Sequence, residues 1–221
     1  LISLGISDNW DFEKDFFKIS NAKIIAYDHS IDSNFWISRF KKDLIKFIKL
    51  KIFKPKKLYK MFQYIDFIFF FKINKKNKFF LKKIGNSENS LNIQQIVSNH
   101  VFKNEKIFFK IDIEGSEYEI LDQIVSCQEK IQGIVIEFHN VTKNFYIIEE
   151  FLKKIKNNLN LVHIHANNYS TKHVNDFPEA LELTISNIDL NNYDFDKSRD
   201  YPIKNLDFPN SKRSPDIKIN F

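Results

Sequence analysis

The stretch KIFFKIDIEGSEYEIL, residues 106–121, changes its character half-way along. An apolar run ends at Asp112, and after a turn at Gly115 the apolar residues recur at helical spacing. This change of period predicts a β-strand over 106–113 and a helix over about 116–126. A strand that leads directly into a helix is the building block of a parallel α/β sheet, so this stretch sets the fold class.

Three acids, Asp112, Glu114 and Glu117, surround one of only four glycines in the chain, Gly115. Gly115 permits a tight turn, and Glu117 begins the predicted helix, where an acid complements the helix dipole. A helix cap alone would not need Asp112 as well as Glu114. We therefore interpret the stretch as half functional site and half helix start; the alternative is that all of it only caps the helix.

Further apolar runs lie on both sides of this stretch and alternate with helical segments. Strands alternating with helices predict an α/β fold in which a mostly parallel sheet carries helices on both faces. The first predicted strand lies within 1–7 and ends in a turn at Gly5, and the second lies within 22–30 and ends at Asp28. The others lie at 78–86, 106–113, 131–140, 159–168 and 180–188.

The residues that follow the predicted strands are mostly polar or glycine. In parallel sheets, ligands bind outside the carboxyl ends of the strands, so these residues predict a cleft at one sheet edge. They are Gly5–Ser7, Asp28–His29, Gly85–Glu88, Asp112–Gly115, Glu137–Asn140 and His165–Asn168.

The positive charge of the chain is concentrated in one segment. Between Arg39 and Lys83 there are 16 basic and 2 acidic residues, so the remainder holds 34 − 16 = 18 basic and 28 − 2 = 26 acidic residues. Residues 34–75 predict two amphipathic helices, broken at Pro55, as a basic helical insertion. This surface either packs on the domain with a solvated lysine-rich face or contacts an anionic membrane through 39–83. Nucleic-acid binding is disfavoured, because no recognition motif is present.

Several classes of protein are excluded by composition. The chain contains no run of about 18 apolar residues, which a membrane span would need. No signal peptide is visible. The single cysteine, Cys127, excludes an internal disulfide framework and fits a reducing compartment. We expect one cytoplasmic domain over 1–221, with the alternative of peripheral attachment to a membrane. Because the chain opens on LISLGI without methionine, we also expect that an N-terminal segment is missing.

The first two strand ends suggest a nucleoside ligand more than a phosphate. The stretch GISDNW, which starts at Gly5, has only the first glycine of the dinucleotide fingerprint, and no P-loop is present. Asp28 could accept two hydrogen bonds from a ribose diol. The alternative is that Asp28 is a solvated loop residue or a helix cap.

Six stretches together resemble the FkbM-type family of S-adenosylmethionine-dependent methyltransferases. They are SLGISDNWDFE, AYDHS, KIDIEGSEYEIL, IEFHN, VHIHANN and LELT, in that order. The resemblance extends from Leu1 to about Ile188, and the KIDIEGSE stretch is its most specific part. It implies a Rossmann-like class I methyltransferase with seven strands, of which the last is antiparallel. It also implies methylation of a hydroxyl on a glycan, glycolipid or related small molecule.

The resemblance assigns roles to particular positions. Asp112 and Glu114 are expected to form the floor of the active site. The implied cofactor residues follow the first three strands: Gly5, Ile6 and Ser7 at the methionine part, Asp28 at the ribose, and Ser87 and Glu88 near the adenine. His29, next to Asp28, is also expected to bind the cofactor.

Methyl transfer to a hydroxyl needs alignment and a base. His139 is the first candidate base, because the pKa of a free histidine lies near neutrality; Asp112 is the second, and Glu137 is a further catalytic candidate. His139 could instead serve only as a hydrogen-bonding residue.

Two alternatives differ in chemistry. A divalent ion is considered but not favoured as a cofactor; its candidate ligands at the strand ends are Asp112, Glu137, His139, His165 and Asn167. The other alternative is a non-catalytic module that keeps the fold and uses the basic helices to bind a membrane surface or an anionic partner.

Overall fold

The computed structural model of this chain describes residues 1–50, 55–169, 178–189 and 201–219, without the side chains at 43, 46–50 and 55–61. Its contacts divide the chain into two compact units, Leu1–Lys83 and Ile84–Phe221. The single domain over 1–221 stays a prediction. The strands are Ile2–Leu4 (β1), Ile25–Tyr27 (β2), Lys78–Phe80 (β3), Ile107–Ile111 (β4), Ile131–His139 (β5), Asn160–Ala166 (β6) and Ala180–Ser186 (β7). The α-helices are Asp11–Ser20 (α1), Ser33–Leu50 (α2), Pro55–Ile68 (α3), Ile93–His100 (α4), Glu117–Ser126 (α5) and Val141–Ile155 (α6).

The seven strands form one sheet in the order β3-β2-β1-β4-β5-β7-β6. The pairs β1–β2, β2–β3 and β4–β5 are parallel, whereas β7 runs antiparallel to both β5 and β6. The predicted α/β class and the antiparallel last strand are therefore confirmed.

The core of the first unit is built around Trp10. Its ring lies 5.4 Å from the ring of Phe67 and 6.4 Å from that of Phe71, and both residues are buried. The Trp10 indole N–H donates to Asp66 Oδ2 at 2.9 Å. Because these partners come from α3 and the π-helical turn that follows it at 69–73, the apolar stripe of the basic segment contributes to the core of this unit.

The third strand is shorter than predicted. It ends at Phe80 and not at 86, because the side chains from Leu81 to Lys83 are all exposed and lose the alternation that a half-buried strand needs. Ile84 contacts Leu91 only through an isolated bridge. The prediction that Ser87 and Glu88 directly follow a strand was therefore wrong.

In the second unit, the C-terminal segment 201–219 is fastened by side chains at the end of β6. The amide nitrogen of Asn168, which is buried, donates to the carbonyl oxygens of Ser211, Ser214 and Pro215 at 2.9–3.1 Å. In return, Ser211 N–H donates to Asn168 Oδ1 at 2.7 Å. Asn168 is thus one of the residues that hold the segment 201–219 on this unit.

Within the described parts of the chain, none of the helices combines the length and the apolar character that crossing a membrane requires.

Candidate active site

The loop after β1 and the end of β2 form one hydrogen-bonded group in the first unit. Gly5 has φ of 78° and Ser7 has φ of 46°, so the chain turns sharply after the strand. The N–H groups of Ile6 and Ser7 donate to Asp28 Oδ2 at 3.0 and 2.8 Å. The structure therefore brings Gly5, Ile6, Ser7 and Asp28 together, as the sequence predicts.

Asp28 already has four hydrogen bonds within the chain. Besides the two at Oδ2, its Oδ1 accepts from Ser30 N–H at 2.7 Å and from the Ser30 hydroxyl at 2.6 Å. Burial by itself raises the pKa of Asp28, but these hydrogen bonds outweigh it and hold the pKa below its ordinary value. Since a carboxylate has about four acceptor sites, a ribose diol would have to replace the Ser30 hydroxyl. The neighbouring side chain of His29 is exposed.

Ser87 and Glu88 lie on an exposed turn of the second unit. This turn is tied to α5 by its neighbour Asn86, whose N–H donates to Glu119 Oε2 at 3.1 Å and whose amide donates to the Glu119 carbonyl at 2.8 Å. The position near the adenine stays a prediction for both residues.

The acidic turn after β4 consists of two consecutive residues with left-handed backbones. Glu114 has φ of 54° and Gly115 has φ of 101°. A Cβ on Gly115 would meet only Asn140 Nδ2, at 3.8 Å, so glycine is required by the backbone angle and not by lack of space. The N–H groups of Ile113 and Gly115 both donate to Glu117 Oε1 at 3.1 Å.

Glu117 also positions the imidazole of His139. The side chain of Glu117 is 0% exposed, and its Oε1 lies 3.0 Å from His139 Nδ1. On the other side of the ring, His139 Nε2 lies 3.6 Å from Glu114 Oε2 and 3.6 Å from Glu137 Oε1. The turn after β4 and the end of β5 thus converge on one histidine.

The charges around His139 change its protonation. Burial by itself lowers its pKa, but the hydrogen bond and charge of Glu117, with the charges of Glu137 and Glu114, raise the pKa to about 9. The imidazole therefore carries both protons near neutral pH. The reason for choosing His139 as the base, a pKa near neutrality, does not hold in this structure.

Glu137 has the pKa that was expected of the histidine. Burial, together with repulsion from Asp112 and Glu182, raises the pKa of Glu137 to about 7, against the opposing effects of His139 and Asn167. The Asn167 amide donates to Glu137 Oε1 at 2.7 Å and fixes the carboxyl group. Glu137 is thus held in place and ionises near neutral pH.

The candidate metal ligands converge only in part. Asp112, Glu114 and His139 can each place one ligand atom within 4.8 Å of the others. His165 is bonded elsewhere, with Nδ1 2.9 Å from Glu182 Oε2 and Nε2 3.2 Å from Asp216. Of the predicted ligands, this group contains Asp112 and His139. It contains Glu114 in addition, but not Glu137, His165 or Asn167.

Comparison with protein families gives this cluster a context. Residues 87–170 match the model of the methyltransferase FkbM domain. This stretch, called the FkbM segment below, is similar to FkbM-type methyltransferase domains. The resemblance seen in the sequence is therefore confirmed over that range. The FkbM segment contains the turn after β4, Glu137, His139 and Asn167.

Solved structures with a similar chain path share little sequence with this chain. The fibrillarin/Nop5p complex has a TM-score of 0.45 at 11% identity, over 85% of this chain and 71% of that chain. An S-adenosylmethionine-dependent methyltransferase from Clostridium acetobutylicum has a TM-score of 0.42 at 10% identity, over 84% and 82%. A precorrin-6y C5,15-methyltransferase from Geobacter metallireducens has a TM-score of 0.39 at 9% identity, over 84% and 79%. No curated protein matches the chain significantly.

Two important residues of the FkbM segment were not found from the sequence. Glu117 was interpreted only as a helix start, although it bonds the turn and His139 together. Asn167 was considered as a metal ligand, whereas its amide donates to Glu137. A buried acid in the first turn of a helix gives no separate signal in the sequence, because exposed acids are favoured at the same position.

Proposed function

We propose that this chain is an S-adenosylmethionine-dependent methyltransferase that methylates a hydroxyl on a glycan, a glycolipid or a related small molecule. The observation that carries the proposal is Glu137, a fixed carboxyl group of the FkbM segment with a pKa of about 7. A base is most effective when its pKa lies near the working pH. Removing the proton of an acceptor hydroxyl is a task that suits this residue.

The donor set around Glu137 fits a cationic cofactor. When bound, S-adenosylmethionine supplies a methyl group from a positively charged sulfonium. Asp112, Glu114 and Glu137 provide carboxyl groups at the ends of neighbouring strands β4 and β5, and carboxylates attract a cation. In the first unit, we assign the ribose to Asp28, with exchange of the Ser30 hydroxyl.

The proton of the acceptor has a defined destination. Glu137 would take it while the methyl carbon passes from the sulfonium sulfur to the hydroxyl oxygen. The sulfur–carbon bond would break, S-adenosylhomocysteine would leave as a neutral thioether, and the carboxyl group would become neutral. His139, doubly protonated and 3.6 Å from Glu137, stabilises the ionised carboxylate before transfer. Glu117 keeps the imidazole in place throughout.

The test is formation of S-adenosylhomocysteine with a panel of acceptors, from simple sugars to lipid-linked sugars. Glu137→Gln should lower kcat by about 10²-fold or more, as loss of a general base does. Glu149→Gln on α6, which is exposed, makes the same chemical change and should leave kcat unaltered. Full activity of Glu137→Gln would refute this role.

A second candidate is metal-assisted transfer, which the convergence of Asp112, Glu114 and His139 favours. A divalent ion there would acidify the acceptor hydroxyl. Under this candidate, EDTA abolishes turnover and Mg²⁺ or Mn²⁺ restores it. If EDTA does not change turnover, the metal-assisted candidate is excluded and deprotonation by Glu137 remains.

The rival from another class is a module that keeps the fold without catalysis. Such a module should not bind S-adenosylmethionine, and substitution of Asp28 should then have no effect on ligand binding. We expect micromolar binding of S-adenosylhomocysteine, which would distinguish a methyltransferase from this module.

A further inference from the structure

A groove of about 940 Å³ opens on the first unit, between α2, α3 and the end of β3. This volume lies at the upper end of the range of about 300–1,000 Å³ that is usual for ligand sites. Five large apolar residues of its wall remain roughly half exposed, and contiguous exposure of this kind marks a binding surface. They are Ile37, Phe40, Phe62, Ile65 and Leu81.

The floor of the groove is firmly packed. The Trp36 ring lies 5.3 Å from that of Phe67, and the Phe67 ring lies 5.0 Å from that of Phe79. Phe67 in turn packs on Trp10 at 5.4 Å in the core of the unit. The groove is therefore a preformed surface over a packed aromatic layer, and an occupant does not have to open it.

The charge of the groove is positive and incompletely balanced. Among the described residues that line it, the one acid is Asp32, which caps α2 because it accepts from Phe35 N–H at 2.7 Å. Arg39 pairs with Asp8. Lys41 and Lys72 also line the groove, and neither has a carboxylate partner among the described residues. An occupant with an anionic group would pair with these two ammonium groups.

We propose that this groove binds an anionic lipid, with its hydrocarbon chain along the apolar wall and its headgroup at Lys41 and Lys72. The segment around the groove, from Arg39 to Lys83, has 16 basic and 2 acidic residues, which draws it to an anionic bilayer surface. Aliphatic side chains such as Ile37 and Ile65 suit a hydrocarbon chain better than the stacked bases of single-stranded RNA. The proposal does not depend on methyl transfer, because lipid binding can be measured alone.

The first experiment uses vesicles of equal parts phosphatidylglycerol and phosphatidylcholine whose acyl chains are brominated. Trp36 lines the groove, whereas Trp10 is only 2% exposed. We expect these vesicles to quench the fluorescence of the parent and to lose this effect in Trp36→Phe. Vesicles of phosphatidylcholine alone should neither bind nor quench. Binding without quenching would overturn the proposal, since it would leave the groove empty.

Matched variants distinguish lipid binding in the groove from general electrostatic attraction to the vesicle surface. Lys72→Glu should weaken vesicle binding by about tenfold. The control Lys18→Glu, at an exposed lysine of α1 outside the basic segment, should change it by about twofold or less. Ile65→Asp in the wall should abolish quenching, whereas Ile19→Asp, at a position 87% exposed on α1, should retain it. Equal losses within either pair would contradict the proposal. So would displacement of the vesicles by single-stranded polyuridylate, which would assign the groove to nucleic acid.

Discussion

Nδ1 of His139 lies 3.0 Å from Oε1 of Glu117, although 22 residues separate them in the chain. The same oxygen accepts from the N–H groups of Ile113 and Gly115 at 3.1 Å each. The other oxygen, Oε2, is buried with no hydrogen-bond partner among the described residues. One buried carboxylate thus holds together the left-handed turn and the imidazole that it faces.

Glu117→Gln tests this relationship. The amide has almost the shape of the carboxylate but no charge, so the pKa of His139 should fall from about 9 by roughly one unit or more. Titration of the His139 ring protons by NMR measures this directly. The exposed change Glu149→Gln should leave the titration as in the parent. An unaltered pKa in Glu117→Gln would show that Glu117 does not set the charge of His139.

Glu137→Gln should stabilise the protein at alkaline pH. The pKa of Glu137 is raised from 4.5 to about 7, so its favourable protonated state is fully present below pH 4.5 and is lost as the pH rises through 7. At about pH 8 the parent holds a buried charge that glutamine avoids, while Asn167 is still bound. We expect a gain on the order of 2 kcal/mol in the free energy of unfolding there, and little gain at about pH 5. Urea denaturation at both pH values measures the free energy of unfolding. A lower value for Glu137→Gln than for the parent at about pH 8 would be inconsistent with the raised pKa.

His165 should make stability fall with rising pH in the same direction as Glu137, although its protonated form is the charged one. Its hydrogen bond to Glu182 and then that to Asp216 outweigh burial and raise its pKa from 6.5 to about 9. The stabilisation by the charged imidazole is therefore fully present below pH 6.5 and disappears as the pH rises through 9.

Asp216→Asn removes one of the partners of His165 and should lower the free energy of unfolding at about pH 6 on the order of 2 kcal/mol, and less at about pH 9.5. The control is Asp122→Asn, whose side chain is 85% exposed in its ion pair with Lys154; it should change the stability little, because exposed ion pairs contribute little. Thermal denaturation across this range is the measurement. Equal costs at both pH values would contradict the assignment.

Ser30→Ala should tighten cofactor binding. The Ser30 hydroxyl occupies Asp28 Oδ1 at 2.6 Å, and a ribose hydroxyl has to replace it. Removal of a competing hydrogen bond is worth about 1 kcal/mol, or roughly fivefold in Kd. Competition binding with S-adenosylhomocysteine measures the change, and Ser98→Ala on α4 is the control. Weaker binding would show that the Ser30 hydroxyl itself contacts the ligand or holds the loop.

Much of the fold could be predicted, because the alternation of apolar runs with helical segments depends on local sequence. The strand before Asp112 and the helix from Glu117 illustrate this, since both lie where the change of period places them. The end of β3 could not be predicted in the same way: Leu81 and Ile84 continue an apolar pattern in the sequence, but only Ile84 is buried.

The types of residue in the candidate site could be predicted from the sequence, but the contacts between their side chains could not. Asp112, Glu114, Glu137 and His139 were expected at strand ends. The burial of Glu117 and its contact with His139 depend on packing between α5 and β5, which a local pattern does not contain. The same is true of Asn168, whose bonds reach Pro215, 47 residues away.

The most direct test of the central claim is calorimetric titration of the chain with S-adenosylhomocysteine, in parallel with Asp28→Ala. We expect micromolar binding by the parent, and loss of binding in an Asp28→Ala variant that circular dichroism shows to be folded. A folded parent that releases no heat would contradict the assignment of a cofactor site to this chain.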